Sequence, residues 1–156
     1  MKKLISFIKE FTREDVPELQ EVERIGRNYF RIGLKLKEEK NRIKMDPFSA
    51  GLPYGEIKDN KFCPSFPLLD LLGNRTDQIA VVNDKAETMF LYGKNIIQES
   101  ITSLKQDKGL VIVKNMRGDV LGYGHVKKDR DRSQMIRNIL NRSDYLKRES
   151  RKPKAR

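Results

Sequence analysis

The stretch from Gly109 to Lys128, GLVIVKNMRGDVLGYGHVKK, constrains the fold more than any other part of the chain. Two alternating runs rich in β-branched residues flank Met116, Arg117, Gly118 and Asp119. The glycine supplies the positive φ that a tight turn requires. A β-hairpin is predicted here, and it commits the chain to building a sheet around it.

The flanking patterns supply both strands and helices. Spacings of three among Val16, Leu19, Val22 and Ile25 predict an amphipathic helix over 12–26, with Thr12 or Asp15 as N-cap and Pro17 in the first turn. Alternation from Tyr29 to Lys37 predicts a strand, followed by a charged, Pro- and Gly-punctuated connector. Residues 52–58 and 61–63 read as short strands around an Asp59-Asn60 turn. Ser65 then caps a short, nearly all-apolar helix that stops at Gly73-Asn74, and 78–82 reads as a core strand. Asp84 is expected to cap a helix whose Ala86, Met89, Phe90, Gly93, Ile96 and Ile97 share a face. A last helix is predicted from Ser133 to Leu146, with disorder beyond Glu149. Short strands alternating with short helices, without internal repeats, indicate an α+β fold.

At 156 residues the chain suits one domain with a short N-terminal appendage, since single cores commonly close at about 100–200 residues. The formal net charge is +11. Residues 127–156 hold twelve Lys or Arg against four Asp or Glu, so they carry +8 of it. A run this basic attracts polyanions and gains from releasing their counterions, which makes nucleic acid the first expected partner. No segment approaches the length of about 20 apolar residues that spans a bilayer, so no membrane partner is expected. The basic start Met1-Lys2-Lys3 is followed by too short an apolar run for a signal peptide, because Lys9 and Glu10 interrupt it. The single Cys63 allows no internal disulfide, and a cytoplasmic location is expected.

In this order FLYGKNI (90–96), GDVLGYGHVKK (118–128) and SDYLKRE (143–149) resemble the PUA domain of a small biogenesis factor of the large ribosomal subunit. They equally resemble the PUA-like C-terminal domain of Sun-type ribosomal RNA cytosine-5 methyltransferases. GLPYGEIK (51–58) and KFCPSFPLLDLL (61–72) resemble the glycine-containing strand and helix start of the second. The resemblance implies a mixed-sheet pseudo-barrel with flanking short helices at 49–149, an N-terminal α/β extension at 1–48 and a basic tail at 150–156. It also implies ribosomal or transfer RNA as ligand, and ribosome biogenesis or RNA modification as setting. An adaptor docked on a separate RNA methyltransferase or on pre-ribosomal proteins is the alternative, using the apolar N-terminal helix. One departure is Asn83-Asp84-Lys85, which stands where many PUA domains carry a Pro-Gly-rich loop. The first fifty residues match neither relative.

Catalysis is not expected. A methyltransferase needs a glycine-rich S-adenosylmethionine loop and a thiolate nucleophile, but the chain has no G-x-G-x-x-G, and Cys63 precedes its proline instead of following it. No cofactor or metal is expected. His125, the only histidine, lacks ligand partners at useful spacing, and Asp129 and Asp131 lie among Lys127, Lys128, Arg130 and Arg132, which oppose a cation. The expected RNA-binding residues are Lys114, Arg117, Tyr123, Lys127, Lys128, Arg130, Arg132, Arg137, Lys147 and Arg148. Tyr123 offers a stacking face between two glycines that either admit an RNA backbone or permit close packing. The hairpin lysines either read phosphates or protect a strand edge from aggregation.

Overall fold

The computed structural model describes residues 1–43, 47 and 49–143, which divide between two compact units, Met1–Leu72 and Gly73–Arg156. The boundary expected at 48/49 falls inside the first unit, because the strands that follow it pair with the N-terminal strands.

The first unit is an antiparallel meander of β1 (Val22–Ile25), β2 (Asn28–Arg31), β3 (Leu52–Lys58) and β4 (Lys61–Pro64), with α1 (Lys2–Lys9), α2 (Leu34–Arg42) and α3 (Phe66–Gly73). Its core gathers Leu4, Ile8 and Phe11 with the sheet residues Tyr29, Phe30 and Tyr54, all buried. Phe7 meets Phe62 at 5.3 Å between ring centroids, and Phe62 meets Tyr29 at 5.8 Å. The Asp59-Asn60 turn forms as expected without a glycine, because both residues adopt positive φ, 47° and 60°. That is the pair of conformations a two-residue hairpin of this twist requires.

Two expectations fail in this unit. The helix expected over 12–26 is a 3₁₀ turn, Pro17–Glu21, followed by β1. A spacing of three fits 3₁₀ geometry, and β2 was available to pair with Val22–Ile25. The strand expected to run to Lys37 stops at Arg31, and Leu34 opens α2. Helical spacing lets both Lys37 and Lys40 reach the Glu23 carboxylate on β1, Lys37 at 3.1 Å. This compensates for leaving Leu34 75% exposed. Lys40, and then Lys37, hold the Glu23 carboxyl below its ordinary value. The depressed group stabilises the fold above the unfolded glutamate value, and that contribution disappears as pH falls through the lower folded value. Acidification is therefore expected to loosen α2, and Glu23→Gln should remove about 0.5–1 kcal/mol of acid-sensitive stability. Comparing thermal unfolding of the two chains across acidic pH checks this; identical pH profiles would contradict it.

The second unit holds a six-stranded mixed sheet in the order β6 (Ile96–Ile97), β10 (Gln134–Asn141), β9 (Val120–Lys128), β8 (Gly109–Lys114), β5 (Ile79–Val82) and β7 (Ile101–Leu104). Its outermost strands, β6 and β7, are joined by only Gln98–Ser100. Four Cα steps reach about 14 Å. Five strand gaps in a flat sheet would need about 24 Å. The sheet must therefore curl into a nearly closed pseudo-barrel, in agreement with the expected α+β class. α4 (Asp84–Leu91) contributes Ala86 and Phe90 to its interior, where they meet Ala80, Val82, Val111, Val113, Leu121, Val126 and Ile136.

The predicted hairpin is β8 and β9. α4 is capped by Asn83, whose Oδ1 accepts from the Ala86 amide at 2.9 Å, and not by Asp84. Gly93 at φ +84° ends the helix, so Ile96 and Ile97 belong to a strand instead of extending it. The helix expected from Ser133 is β10. Its three- and four-residue apolar spacing arises from a bulge between Asn138 and Leu140, which breaks strand alternation. The predicted end of that helix and the basic tail lie outside the described residues. Among the described residues no helix is long and apolar enough to cross a membrane.

Candidate functional site

The β9–β10 turn and its flanks carry four exposed cations, Lys127, Lys128, Arg130 and Arg132. Lys127 and Lys128 end β9, exposed, opposite Met135 and Gln134. The turn closes through Asp129 N to Ser133 O at 2.8 Å and Arg132 N to Asp129 O at 2.9 Å. Both carboxylates serve the turn itself. Asp129 accepts from the Arg130 amide at 2.7 Å, while Asp131 accepts from the Ser133 amide at 2.9 Å and from its hydroxyl. The Ser133 bonds hold the Asp131 carboxyl below its ordinary value. Arg130 and Arg132 are left exposed, and no described residue forms an ion pair with either.

Two further cations flank this turn. Arg137 lies across from His125, so it shares a sheet face with Lys127 as a diagonal neighbour. Lys108 precedes Gly109, which pairs with Val126. Its loop is held by Gln106, which donates to the Lys108 and Leu110 carbonyls at 3.0 and 2.9 Å. Lys108, Lys127, Lys128, Arg130, Arg132 and Arg137 thus form a crown at one end of the barrel. Asp107 is the one exposed neighbour of opposite sign in the Lys108 loop. Sequence reasoning missed Lys108, because only β8–β9 pairing brings it beside Lys127.

Other expected residues have different roles. Lys114 donates to the Gly73 carbonyl at 2.7 Å. Arg117 is paired with Glu87 at 3.2 Å and with Asp119 at 3.4 Å, while the buried Asn115 ties the whole hairpin tip together. That tip is locally neutralised. Tyr123 is buried, at 8% exposure, so it offers no stacking face. The glycines around it are there for packing. A Cβ on Gly122 would lie 1.9 Å from the Leu140 carbonyl oxygen, and one on Gly124 2.6 Å from that of Arg137. Lys147 and Arg148 lie outside the described residues.

The exposed aromatic among the described residues is instead Tyr92, 75% exposed in the loop between α4 and β6. Asn138 donates to the Phe90 and Lys94 carbonyls at 2.7 and 3.2 Å, and Asn95 accepts from its amide at 3.0 Å. The loop carrying Tyr92 is thereby clipped to Asn138 on β10. A tyrosine directly before a helix-terminating glycine was the available signal. His125 is partly buried, and its Nδ1 finds no hydrogen-bond partner among the described residues. No cluster of metal-binding side chains occurs among the described residues.

Residues 78–150 match the family model of the UPF0113 PUA domain. A UPF0113 protein of Archaeoglobus fulgidus is 26% identical over 113 residues, which amount to 67% of this chain and 64% of the relative's length. A solved structure of a conserved PUA domain protein from Thermoplasma acidophilum shares 22% identity at a TM-score of 0.46, covering 62% of this chain and 69% of that one. PUA domains generally bind RNA, and typically do so without catalysis.

Proposed function

We propose, from the premise that this chain carries a PUA-like domain in its C-terminal half, that the domain binds ribosomal or transfer RNA in the cytoplasm without transforming it. Ribosome biogenesis or RNA modification is the setting this reading favours. One observation carries it: the crown from Lys108 to Arg137 gathers six cations against three carboxylates, Asp107 beside Lys108 and the turn residues Asp129 and Asp131, which accept from turn amides. Exposed cations without partners attract a phosphate chain and release its counterions on contact. Arg130 and Arg132 supply planar donors suited to phosphate oxygens. Tyr92 adds an exposed ring on which an unpaired base can stack.

Titrating the full chain with a ribosomal RNA hairpin over a range of salt tests this reading. The logarithm of the association constant should fall with the logarithm of salt at a slope of about −4 or steeper, as expected for six phosphate contacts. A flat dependence, or no binding in dilute salt, would reject it. Crosslinking in cells, followed by sequencing of the attached RNA, separates ribosomal from transfer RNA.

An adaptor docked on an RNA methyltransferase or a pre-ribosomal particle is the second reading. Exposed Leu34, Ile43 and Leu52 in the first unit favour it. The helix expected over 12–26 does not contribute, since that stretch is a 3₁₀ turn followed by β1. Co-purification of such a partner after nuclease treatment would support this alternative.

A further inference from the structure

The first unit has a charged end of its own, independent of the crown. In the meander the β1–β2 turn and the β3–β4 turn lie at the same end of the sheet: Asn28 pairs with Glu56, and the Ile57 amide donates to the Arg27 carbonyl at 2.9 Å. α1 begins there too, since Lys3 Nζ donates to the backbone and side-chain oxygens of Asn60. This places Lys2, Lys3, Arg24, Arg27, Lys58 and Lys61 around one end, against two carboxylates there, Asp59 in the β3–β4 turn and Glu56 opposite Asn28. Arg24 is fixed in position by its bond to the Gly26 carbonyl at 2.9 Å and by the Tyr29 ring, 6.0 Å from its guanidinium carbon.

Two of these placements work against stability. Lys58 and Lys61 are directly paired across the hairpin and both exposed, where like charges repel. Lys2 and Lys3 occupy the first turn of α1, which has no acidic residue, although the helix dipole favours anions there. Among the described residues none of the six forms an ion pair with a carboxylate. Elsewhere the described part of the unit carries more carboxylates than cations, so the charge is concentrated by position. Unfavourable local choices that recur at one place mark a functional surface.

We infer that this end of the sheet is a second phosphate-binding site, which holds the backbone of the bound RNA. A charged protein partner fits less well. Among the described residues the exposed large apolar side chains of the unit, apart from Met1, are Leu34, Leu36, Ile43 and Leu52, on α2, just after it and at the opposite end of β3. At the charged end Met1 is then the single aliphatic side chain of this kind among the described residues, set against six cations, whereas protein interfaces depend on clustered aromatic or aliphatic anchors. A phosphate chain needs only cations at intervals.

The test uses the full chain and a mixed-sequence RNA hairpin with a single-stranded tail. In the triple variant Arg27→Gln/Lys58→Gln/Lys61→Gln the salt slope should become shallower by about 2, and affinity at ~0.15 M salt should fall about a hundredfold. Its thermal midpoint should stay level or rise, because a repulsive pair has been removed. The charge-preserving Arg27→Lys/Lys58→Arg/Lys61→Arg chain should bind like the parent. An unchanged slope in the Gln variant, with the fold retained, overturns the inference, as does equal loss in the charge-preserving chain. Neutralising the crown separates the two sites. If that variant loses affinity while the triple variant does not, only the present inference fails; the reverse outcome removes the crown and leaves this site standing.

Discussion

Replacing Lys127, Lys128, Arg130 and Arg132 together with glutamine should make the salt slope of RNA binding shallower by about 3 and lower affinity a few hundredfold at ~0.15 M salt. The estimate assumes that each side chain neutralises one phosphate, which their exposure and the absence of ion-pair partners among the described residues permit. The fold should survive. The turn is held by backbone bonds and by Asp129 and Asp131 accepting from the Arg130 and Ser133 amides, none of which needs the substituted side chains. Arg132 already sits at φ +66°, so glutamine inherits that strain without adding to it. Arg117→Gln is the informative control. Its guanidinium is already paired with Glu87 and Asp119, so its loss should barely change RNA affinity. If Arg117→Gln proved as damaging as the fourfold change, the assignment of the crown would be wrong.

Gly122→Ala should cost more than ~3 kcal/mol of stability, placing it among the large effects that follow from backbone strain and overpacking. Its added Cβ would fall 1.9 Å from the Leu140 carbonyl oxygen and 2.9 Å from the Asn141 Cα, at a backbone φ of +153°. Because backbone atoms block the space, no rotamer change relieves the clash, and β10 must separate from β9. β10 also carries Ile136 into the barrel core and pairs with β6, so the damage spreads through the second unit. Gly118→Ala isolates the conformational part. Gly118 has φ +90° but open space around its Cβ position, and the change should cost about 1–2 kcal/mol. Urea unfolding of both variants measures the difference. A Gly122→Ala chain as stable as Gly118→Ala would show that these glycines are not packing residues and reopen their alternative role in admitting an RNA backbone.

Elements formed by neighbours in the chain were legible without a structure. The β8–β9 hairpin follows from alternation around Gly118, the β3–β4 turn from Asp59-Asn60, and the limits of α3 from Ser65 and Gly73, because each depends on backbone preferences within a few residues. The basic character of residues 127–132 was equally visible, since charge is a property of composition.

Tertiary structure decided wherever one pattern allowed two periods. Ser133–Leu140 spaces its apolar residues like a helix, yet the free edges of β9 and β6 recruit it as a strand with a bulge. Leu34–Lys37 alternates like a strand, yet Glu23 on β1 draws its lysines into helical spacing. The same holds for function. Whether a lysine or tyrosine faces solvent depends on partners far away in sequence, so Lys114, Arg117 and Tyr123 left the candidate site while Lys108 and Tyr92 joined it. Local backbone preference acts within a turn or two of chain, whereas pairing, burial and charge compensation are set by neighbours that only the folded chain brings together.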